Sequence, residues 1–206
     1  ILFKRANCKP VAYDGDSGIG VLLTALCDQI GGKAKPILEK GSIIGLKVGD
    51  GGSVTLEPGG QLELSGAPLV NLHQTCAETG RHLRHMRAAT SALGIGMLGI
   101  GYQPKWGRDE IPWMPKGRYK IMRDYMPKVG HFGLDMMLRS CTVQVNLDYS
   151  DETDMRRKFR TSLALQPVAT ALFANSPFRD GKPSGLLSTR AEAWTDTDNT
   201  RCGVPA

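Results

Sequence analysis

Two glutamates on either side of a glycine turn suggest chemistry by their type and spacing. Residues 56–68 read Leu-Glu-Pro-Gly-Gly-Gln-Leu-Glu-Leu-Ser-Gly-Ala-Pro, so Glu57 and Glu63 lie six positions apart. Strand side chains alternate between faces, so this even spacing can put both carboxylates on one face if Gly59-Gly60 introduces no bulge. Such a pair suits Mg²⁺, which often takes one or two carboxylates and completes its shell with water and phosphate oxygens. The alternative is a solvated hairpin with two exposed glutamates.

A second group of candidate residues lies on a segment of alternating polarity that begins at Cys141. Thr142, Gln144 and Asn146 would share one face of a strand, and Val143, Val145 and Leu147 would share the other. The apolar face would pack on the core, and the polar row would face water or a ligand. The amide oxygen of Gln144 can ligate a metal. The alternative is that Gln144 is an ordinary amide of the sheet.

Two arginines are candidates for binding a carboxylate or a phosphate group. Arg118 follows Met114-Pro115-Lys116-Gly117, and Arg190 ends Leu187-Ser188-Thr189-Arg190. A planar guanidinium makes paired hydrogen bonds to such anions. Trp194 follows Arg190 closely. The alternative for either arginine is a surface ion pair.

The elements that would position these residues are short hairpin strands followed by long helices. This order, without regular strand–helix alternation, predicts an α+β fold. Gly94 to Gly99 matches G-x-G-x-x-G, but a helix precedes it, so we interpret it as a strand and not as a dinucleotide-binding turn. Strands are predicted near 36–39, 43–48, 53–64 and 141–148, with an extended segment over 186–194. Helices are predicted over about 18–30, from Pro68 onward, over 116–126 and after Ser150.

The composition excludes several classes of protein. The chain has 206 residues and a net charge of +6, but aromatic residues make up only 6% and no nucleic-acid motif is visible, so a nucleic-acid partner is not expected. No run of eighteen apolar residues is present, so no membrane association is expected. The five cysteines form no CxxC pair, which argues against a zinc site and favours a reducing compartment.

Several long motifs together resemble glutamate–cysteine ligase, in the form shared by plants and many proteobacteria. The resemblance runs almost without gaps from about Ile43 to Arg201. The motifs that carry it, besides residues 56–68, are Leu72-His73-Gln74-Thr75-Cys76-Ala77-Glu78, Gly101-Tyr102-Gln103-Pro104-Lys105-Trp106, Met114-Pro115-Lys116-Gly117-Arg118-Tyr119, Cys141-Thr142-Val143-Gln144-Val145-Asn146-Leu147-Asp148 and Trp194-Thr195-Asp196-Thr197-Asp198.

The resemblance implies an ATP- and Mg²⁺-dependent ligase that joins L-glutamate to L-cysteine through a γ-glutamyl phosphate. It implies Glu57, Glu63 and Gln144 as metal ligands. The same resemblance makes Arg118 and Arg190 the catalytic candidates, and they would bind substrate together with Thr142 and Trp194. It further implies a curved antiparallel sheet with flanking helices, forming an incomplete funnel like that of the glutamine synthetase-like ligases. The expected compartment is the cytoplasm, or the plastid for a plant protein.

The resemblance also sets limits on the chain. Relatives carry an upstream Glu-His-Glu strand with further metal ligands and continue well past Arg201. We therefore expect residues 1–206 to form a single partial catalytic domain that is weakly active or inactive when expressed alone. Two alternatives stay open: a sister carboxylate–amine ligase that uses another amine, and a catalytically incomplete fragment that acts only as a partner or scaffold.

Overall fold

A computed structural model describes residues 1–49 and 51–202 and combines helices with antiparallel strands, which confirms the predicted α+β class. Contacts divide the chain into two compact units. The N-terminal unit comprises Ile1–Gly99 and Arg108–Asp124, and the C-terminal unit comprises Ile100–Gly107 and Tyr125–Ala206. The two units are described separately below. The single partial catalytic domain stays a prediction.

The N-terminal unit begins with strand β1 and helix α1, which lead into a four-stranded antiparallel sheet. The sheet has the order β2-β3-β4-β5, and consecutive strands pair antiparallel. The hairpins predicted between residues 36 and 64 are therefore confirmed. The bounds are β1 (Leu2–Lys4), α1 (Ile19–Ile30), β2 (Ala34–Glu39), β3 (Ser42–Val48), β4 (Gly52–Leu56) and β5 (Leu62–Ser65).

Strand β2 forms one edge of this sheet. It carries Pro36, which has no backbone N–H, and its neighbour Lys35 is exposed. The pairing of β2 with β3 shifts register between Ile37 and Leu38, as in a β-bulge. Proline, lysine and a bulge are features that edge strands commonly carry.

Helix α1 supplies the apolar side chains that cover the sheet. Ile19, Leu22, Leu23 and Leu26 recur at three- and four-residue steps, and each is at most 1% exposed. Helix α1 contacts β3, whose Leu46 is fully buried, and Val54 and Leu56 of β4 are also fully buried. This core fixes the end of β4, which is where the candidate site begins.

The remaining elements of the N-terminal unit are helix α2 (Leu72–Ala92), strand β6 (Ile95–Met97) and helix α3 (Gly117–Tyr125). Helix α2 begins four residues after Pro68, where the prediction placed its start, because the Asn71 side chain accepts a hydrogen bond from Gln74 N and caps the helix. Strand β6 pairs with β1, which confirms that the glycine-rich segment is a strand.

The C-terminal unit contains helices α4 (Gly133–Arg139) and α5 (Glu152–Leu172), strands β7 (Phe178–Arg179) and β8 (Lys182–Pro183), and helix α6 (Thr189–Ala193). A buried polar network ties it together. Asp135 accepts hydrogen bonds from the Tyr102 hydroxyl at 3.0 Å and from Arg139 at 3.1 Å, and Arg139 also pairs with Asp180 at 2.6 Å. None of the described helices is long and apolar enough to cross a membrane.

Helix α5 differs from α1 in having no buried residue. Phe159 is 51% exposed. Pro167 lies inside the helix.

Two strand predictions in the C-terminal unit were wrong. Residues 142–148 form no strand, because no described segment pairs with them, and Val143 and Val145 are 93% and 74% exposed. Residues 189–193 form helix α6, because the Ser188 hydroxyl accepts a hydrogen bond from Ala191 N and caps a helical turn.

Candidate active site

The two glutamates lie beside each other at one end of the sheet of the N-terminal unit. Glu57 directly follows β4, and Glu63 lies in β5, where it pairs with Thr55. Because Thr55 and Glu57 are two positions apart on an extended chain, Glu57, Thr55 and Glu63 can share one face. The Thr55 hydroxyl donates a hydrogen bond to Glu57, which supports this arrangement.

A tight turn connects the two glutamates. Glu57 N donates to Gln61 O at 2.9 Å, and Gly60 N donates to Glu57 O at 3.0 Å. Gly60 has a φ of +83°, and a Cβ added there would lie 2.7 Å from Ile19 Cδ1. A glycine is required at this position for both reasons. The geometry of the turn therefore keeps Glu57 and Glu63 close to each other.

Charged groups of both signs surround Glu57 at this end of the sheet. Burial raises the pKa of Glu57, and the neighbouring Glu63 carboxylate raises it further. Lys116 and Arg118 act in the opposite direction and lower the pKa of Glu57. The result is a half-buried carboxylate with one anionic and two cationic neighbours.

These residues fit a metal ion that is shared with a substrate. Among the described residues, no group of three His, Cys, Asp or Glu side chains is arranged to hold a metal. Glu57 and Glu63 alone match the one or two carboxylates that Mg²⁺ commonly takes from a protein, with water and phosphate oxygens in its other positions. A cation at this place would also offset the repulsion between the two carboxylates.

Lys116 and Tyr119 are site residues that the sequence analysis missed. Lys116 Nζ donates to the Leu56 carbonyl oxygen at 2.6 Å, and the Tyr119 hydroxyl donates to the same oxygen at 2.5 Å. Both lie in the motif Met114-Pro115-Lys116-Gly117-Arg118-Tyr119. This motif was the sequence signal that could have identified them, but only its Arg118 was predicted as a site residue.

Burial governs the protonation of both residues. Burial lowers the pKa of Lys116, and Glu57 partly reverses this effect. Burial raises the pKa of Tyr119 to about 12, so the phenol stays neutral and remains a hydrogen-bond donor at physiological pH. Each group can therefore keep its bond to the Leu56 carbonyl.

Two further bonds attach the same motif to the sheet. Met114 N donates to Pro58 O at 3.1 Å, and Gly117 N donates to Glu39 Oε1 at 2.7 Å. Arg118 is exposed and lies over the Tyr119 ring at 5.3 Å. The structure thus brings together three of the predicted site residues, Glu57, Glu63 and Arg118.

In the C-terminal unit, Arg190 and Trp194 lie next to each other. The Arg190 guanidinium carbon is 5.5 Å from the centroid of the Trp194 ring, and the ring is 38% exposed. Burial lowers the pKa of Arg190, and its buried Nε has no hydrogen-bond partner among the described residues. An oxygen anion would provide that partner.

Thr142 and Gln144 lie on the exposed segment of the C-terminal unit. The Thr142 hydroxyl donates to Val143 O at 3.1 Å, and Gln144 Nε2 donates to Asn146 Oδ1 at 3.0 Å. Their predicted contacts with substrate and metal stay predictions. The candidate residues therefore fall into two groups, one in each compact unit.

Comparison with known proteins identifies the relatives of this chain. The family model described as glutamate–cysteine ligase family 2 matches residues 1–206. The chain is 59% identical over 202 residues to the chloroplastic glutamate–cysteine ligase of Arabidopsis thaliana, covering 98% of this chain and 38% of that protein. It is 58% identical over 202 residues to the chloroplastic glutamate–cysteine ligase A of Oryza sativa subsp. japonica, covering 98% of this chain and 40% of that protein. The chain thus spans about two fifths of the length of these relatives.

Proposed function

This chain belongs to glutamate–cysteine ligase family 2, and on that basis we propose that the protein is an ATP-dependent ligase that joins the γ-carboxylate of L-glutamate to the amine of L-cysteine. The observation that carries the proposal beyond the family is the pair of carboxylates Glu57 and Glu63, flanked by Lys116 and Arg118. A site for a phosphorylated substrate and a divalent cation needs charges of both signs in this way. The product would be the first precursor of glutathione.

The reaction needs two steps because a carboxylate is a poor electrophile. A γ-carboxylate oxygen of glutamate attacks the γ-phosphorus of ATP, which forms the acyl phosphate and releases ADP. The cysteine nitrogen then attacks the acyl carbon, which forms the amide and releases inorganic phosphate and a proton. Both steps depend on positioning and charge neutralisation more than on a covalent nucleophile of the protein.

The proposed roles follow the chemistry of each side chain. Glu57 and Glu63 would hold Mg²⁺, with Gln144 as a third oxygen ligand. Bound Mg²⁺ would supply neutralisation of the phosphate charges. Arg118 and Arg190 would bind the substrate carboxylate or the transferred phosphate through paired hydrogen bonds, and Thr142 and Trp194 would contact the amino-acid substrate.

The finer fold and the compartment also belong to this proposal. We propose that the four-stranded sheet is part of the curved sheet of a glutamine synthetase-like funnel. The relatives are named as chloroplastic proteins, so the plastid is the proposed compartment if this protein comes from a plant, and the cytoplasm otherwise. The proposed partners are the small molecules glutamate, cysteine and ATP.

The test is release of ADP from ATP, measured with and without glutamate, cysteine and Mg²⁺. It is run on the 206-residue chain and on the full-length natural polypeptide. Turnover that requires both amino acids and Mg²⁺ supports the proposal. Turnover that requires glutamate but is indifferent to cysteine would favour a sister ligase with another amine. ADP release without glutamate would overturn the proposal.

A further inference from the structure

Two side-chain hydrogen bonds hold the backbone just before Glu57, at the end of strand β4. The Leu56 carbonyl oxygen accepts hydrogen bonds from two side chains, Lys116 Nζ at 2.6 Å and the Tyr119 hydroxyl at 2.5 Å. Tyr119 is 1% exposed, so this bond is shielded from water. Because the peptide unit is planar, fixing the Leu56 carbonyl also fixes the nitrogen of Glu57.

The backbone just after Glu57 is held by the same motif. Pro58 O accepts a hydrogen bond from Met114 N at 3.1 Å. Residues 114–119 therefore make hydrogen bonds to the backbone on both sides of Glu57. The partners are 60 and 63 positions apart in sequence for the two bonds to Leu56, so local chain geometry does not impose this arrangement.

Glu57 has a physical reason to leave this position. Its side chain is half-buried beside the like-charged Glu63, so an unrestrained carboxylate would turn toward water. A metal ligand works only if it is held in the productive geometry before the ion arrives. The two donors on the Leu56 carbonyl supply that restraint through the backbone.

We propose that Lys116 and Tyr119 are positioning residues that hold the Glu57 carboxylate ready for a divalent cation by fixing the Leu56 carbonyl. The inference rests on the proposed function, in which Glu57 is a metal ligand. Partners that orient metal ligands typically contribute tenfold or more to metal affinity. The two residues are thus part of the metal site although neither is a ligand.

The experiment is a titration of the full-length natural polypeptide with Mn²⁺. Oxygen ligands bind Mn²⁺ as they bind Mg²⁺, and the unbound fraction is measured by electron paramagnetic resonance. The main variant is Tyr119→Phe, which removes one hydroxyl and changes no charge. The matched control is Tyr102→Phe, since Tyr102 is also buried, at 2% exposure, and its hydroxyl also makes a hydrogen bond, but to Asp135. Thermal unfolding is recorded for every variant.

The expected result is that Tyr119→Phe weakens Mn²⁺ binding about tenfold, whereas Tyr102→Phe leaves it unchanged even if both lower the Tm. Lys116→Met is the second variant. Removing a cation near the metal would strengthen the attraction for Mn²⁺, but losing Lys116 would also raise the pKa of Glu57. Weaker binding in Lys116→Met therefore supports positioning only together with weaker binding in Tyr119→Phe. Lys120→Met, at an exposed site of α3, is its control and should bind as the wild type does.

Two other results would count against the inference in different ways. If Glu57→Gln loses Mn²⁺ binding but Tyr119→Phe and Lys116→Met bind as the wild type does, the positioning role is overturned and the proposed metal site stands. If Glu57→Gln binds Mn²⁺ as the wild type does, Glu57 is not a ligand, and both the proposed metal site and the positioning role are overturned.

Discussion

At the scale of single residues, the half-buried environment of Glu57 disfavours its charged form. Glu57 lies at the end of a strand, and both burial and Glu63 raise its pKa. Proteins tolerate such conflicts mainly where a ligand later resolves them. Glu57 is therefore better explained by function than by folding.

Replacing Glu57 with glutamine should make the metal-free protein more stable at neutral pH. Because the folded-state pKa of Glu57 lies above its ordinary value of 4.5, folding favours the protonated acid, and this stability is lost as pH rises through the raised pKa. We expect Glu57→Gln to raise the Tm by about 2 °C or more at pH 7 in EDTA, and by less at pH 4.

Thermal unfolding at the two pH values checks this expectation. Asp148→Asn, at an exposed site, serves as the control and should change the Tm little. Added Mg²⁺ should raise the Tm of the wild type only, since the variant lacks one ligand. A variant that is less stable than the wild type at pH 7 would contradict the argument.

Even the conservative replacement of Arg190 by lysine should weaken the binding of glutamate. Its guanidinium lies over Trp194 at 5.5 Å, and a lysine would keep the charge but lose the planar fork. We expect Arg190→Lys to raise the KM for glutamate about tenfold or more, equivalent to about 1.4 kcal/mol of binding. Steady-state kinetics of the full-length natural polypeptide measures this, with exposed Arg160→Lys as the control. Equal KM values in the two variants would remove Arg190 from the proposed site.

Sequence patterns identified the two glutamates but not the residues that hold them. That Glu57 and Glu63 can share one face could be predicted because their even spacing and the glycine turn between them are compatible with a short hairpin. Lys116 and Tyr119 could not be assigned in the same way, because their shared partner is a backbone oxygen 60 and 63 positions away. A main-chain acceptor carries no side-chain identity from which such a contact can be inferred.

At the scale of elements, the turn between β4 and β5 depends on Gly60. Its φ of +83° is costly for other residues, and an added Cβ would lie 2.7 Å from Ile19 Cδ1. We expect Gly60→Ala to destabilise the protein by about 1–3 kcal/mol and to weaken Mn²⁺ binding, since the turn sets the distance between the glutamates.

Gly32→Ala provides the comparison for this glycine. No atom lies within 4 Å of a Cβ added at Gly32, and its backbone has no positive φ. Urea unfolding should therefore show little loss of stability for Gly32→Ala. Equal losses in the two variants would mean that the effect at Gly60 is a general cost of removing a glycine.

Helices α1 and α5 should differ in how readily they open. Four side chains of α1 are at most 1% exposed, whereas α5 has no buried residue over its 21 positions. Local opening is easier where few apolar contacts must be broken. We expect the amides of α5 to exchange with deuterium at least about tenfold faster than those of the buried turns of α1, measured by mass spectrometry. Equal protection of the two helices would contradict this expectation.

The strand predicted over residues 141–148 does not form, which shows what the alternation of polar and apolar residues can and cannot predict. A period of two describes which side chains would share a face, but a strand also needs a hydrogen-bonding neighbour. Among the described residues no segment pairs with 142–148. Helix α1 was predictable because a helix satisfies its backbone groups within one segment.

At the scale of the whole molecule, the α+β class followed from the order of hairpins and helices, because those patterns are local. The proposed funnel does not follow from pattern alone, because a funnel would depend on how strands assemble over long distances. The division into two compact units was also not foreseen, since residues 100–107 and 108–124 fall in different units without a change in composition.

The net charge of +6 should assist the binding of an anionic nucleotide. Salt screens such an attraction over about 10 Å at 0.1 M. We expect the KM for ATP to rise about threefold between roughly 50 and 300 mM KCl in the full-length natural polypeptide, with a smaller change in the KM for zwitterionic cysteine. Steady-state kinetics checks this, and a KM for ATP that is independent of salt would contradict it.

The edge strand β2 has a consequence for how the protein behaves at high concentration. An incoming strand would need a regular row of donors, but Pro36 supplies no N–H and the bulge at Ile37 and Leu38 breaks the spacing. Both features hinder the addition of further strands to this edge while the protein stays folded. Replacing Pro36 with a β-branched residue would restore the missing donor but leave the bulge, so the proline and the bulge protect this edge together.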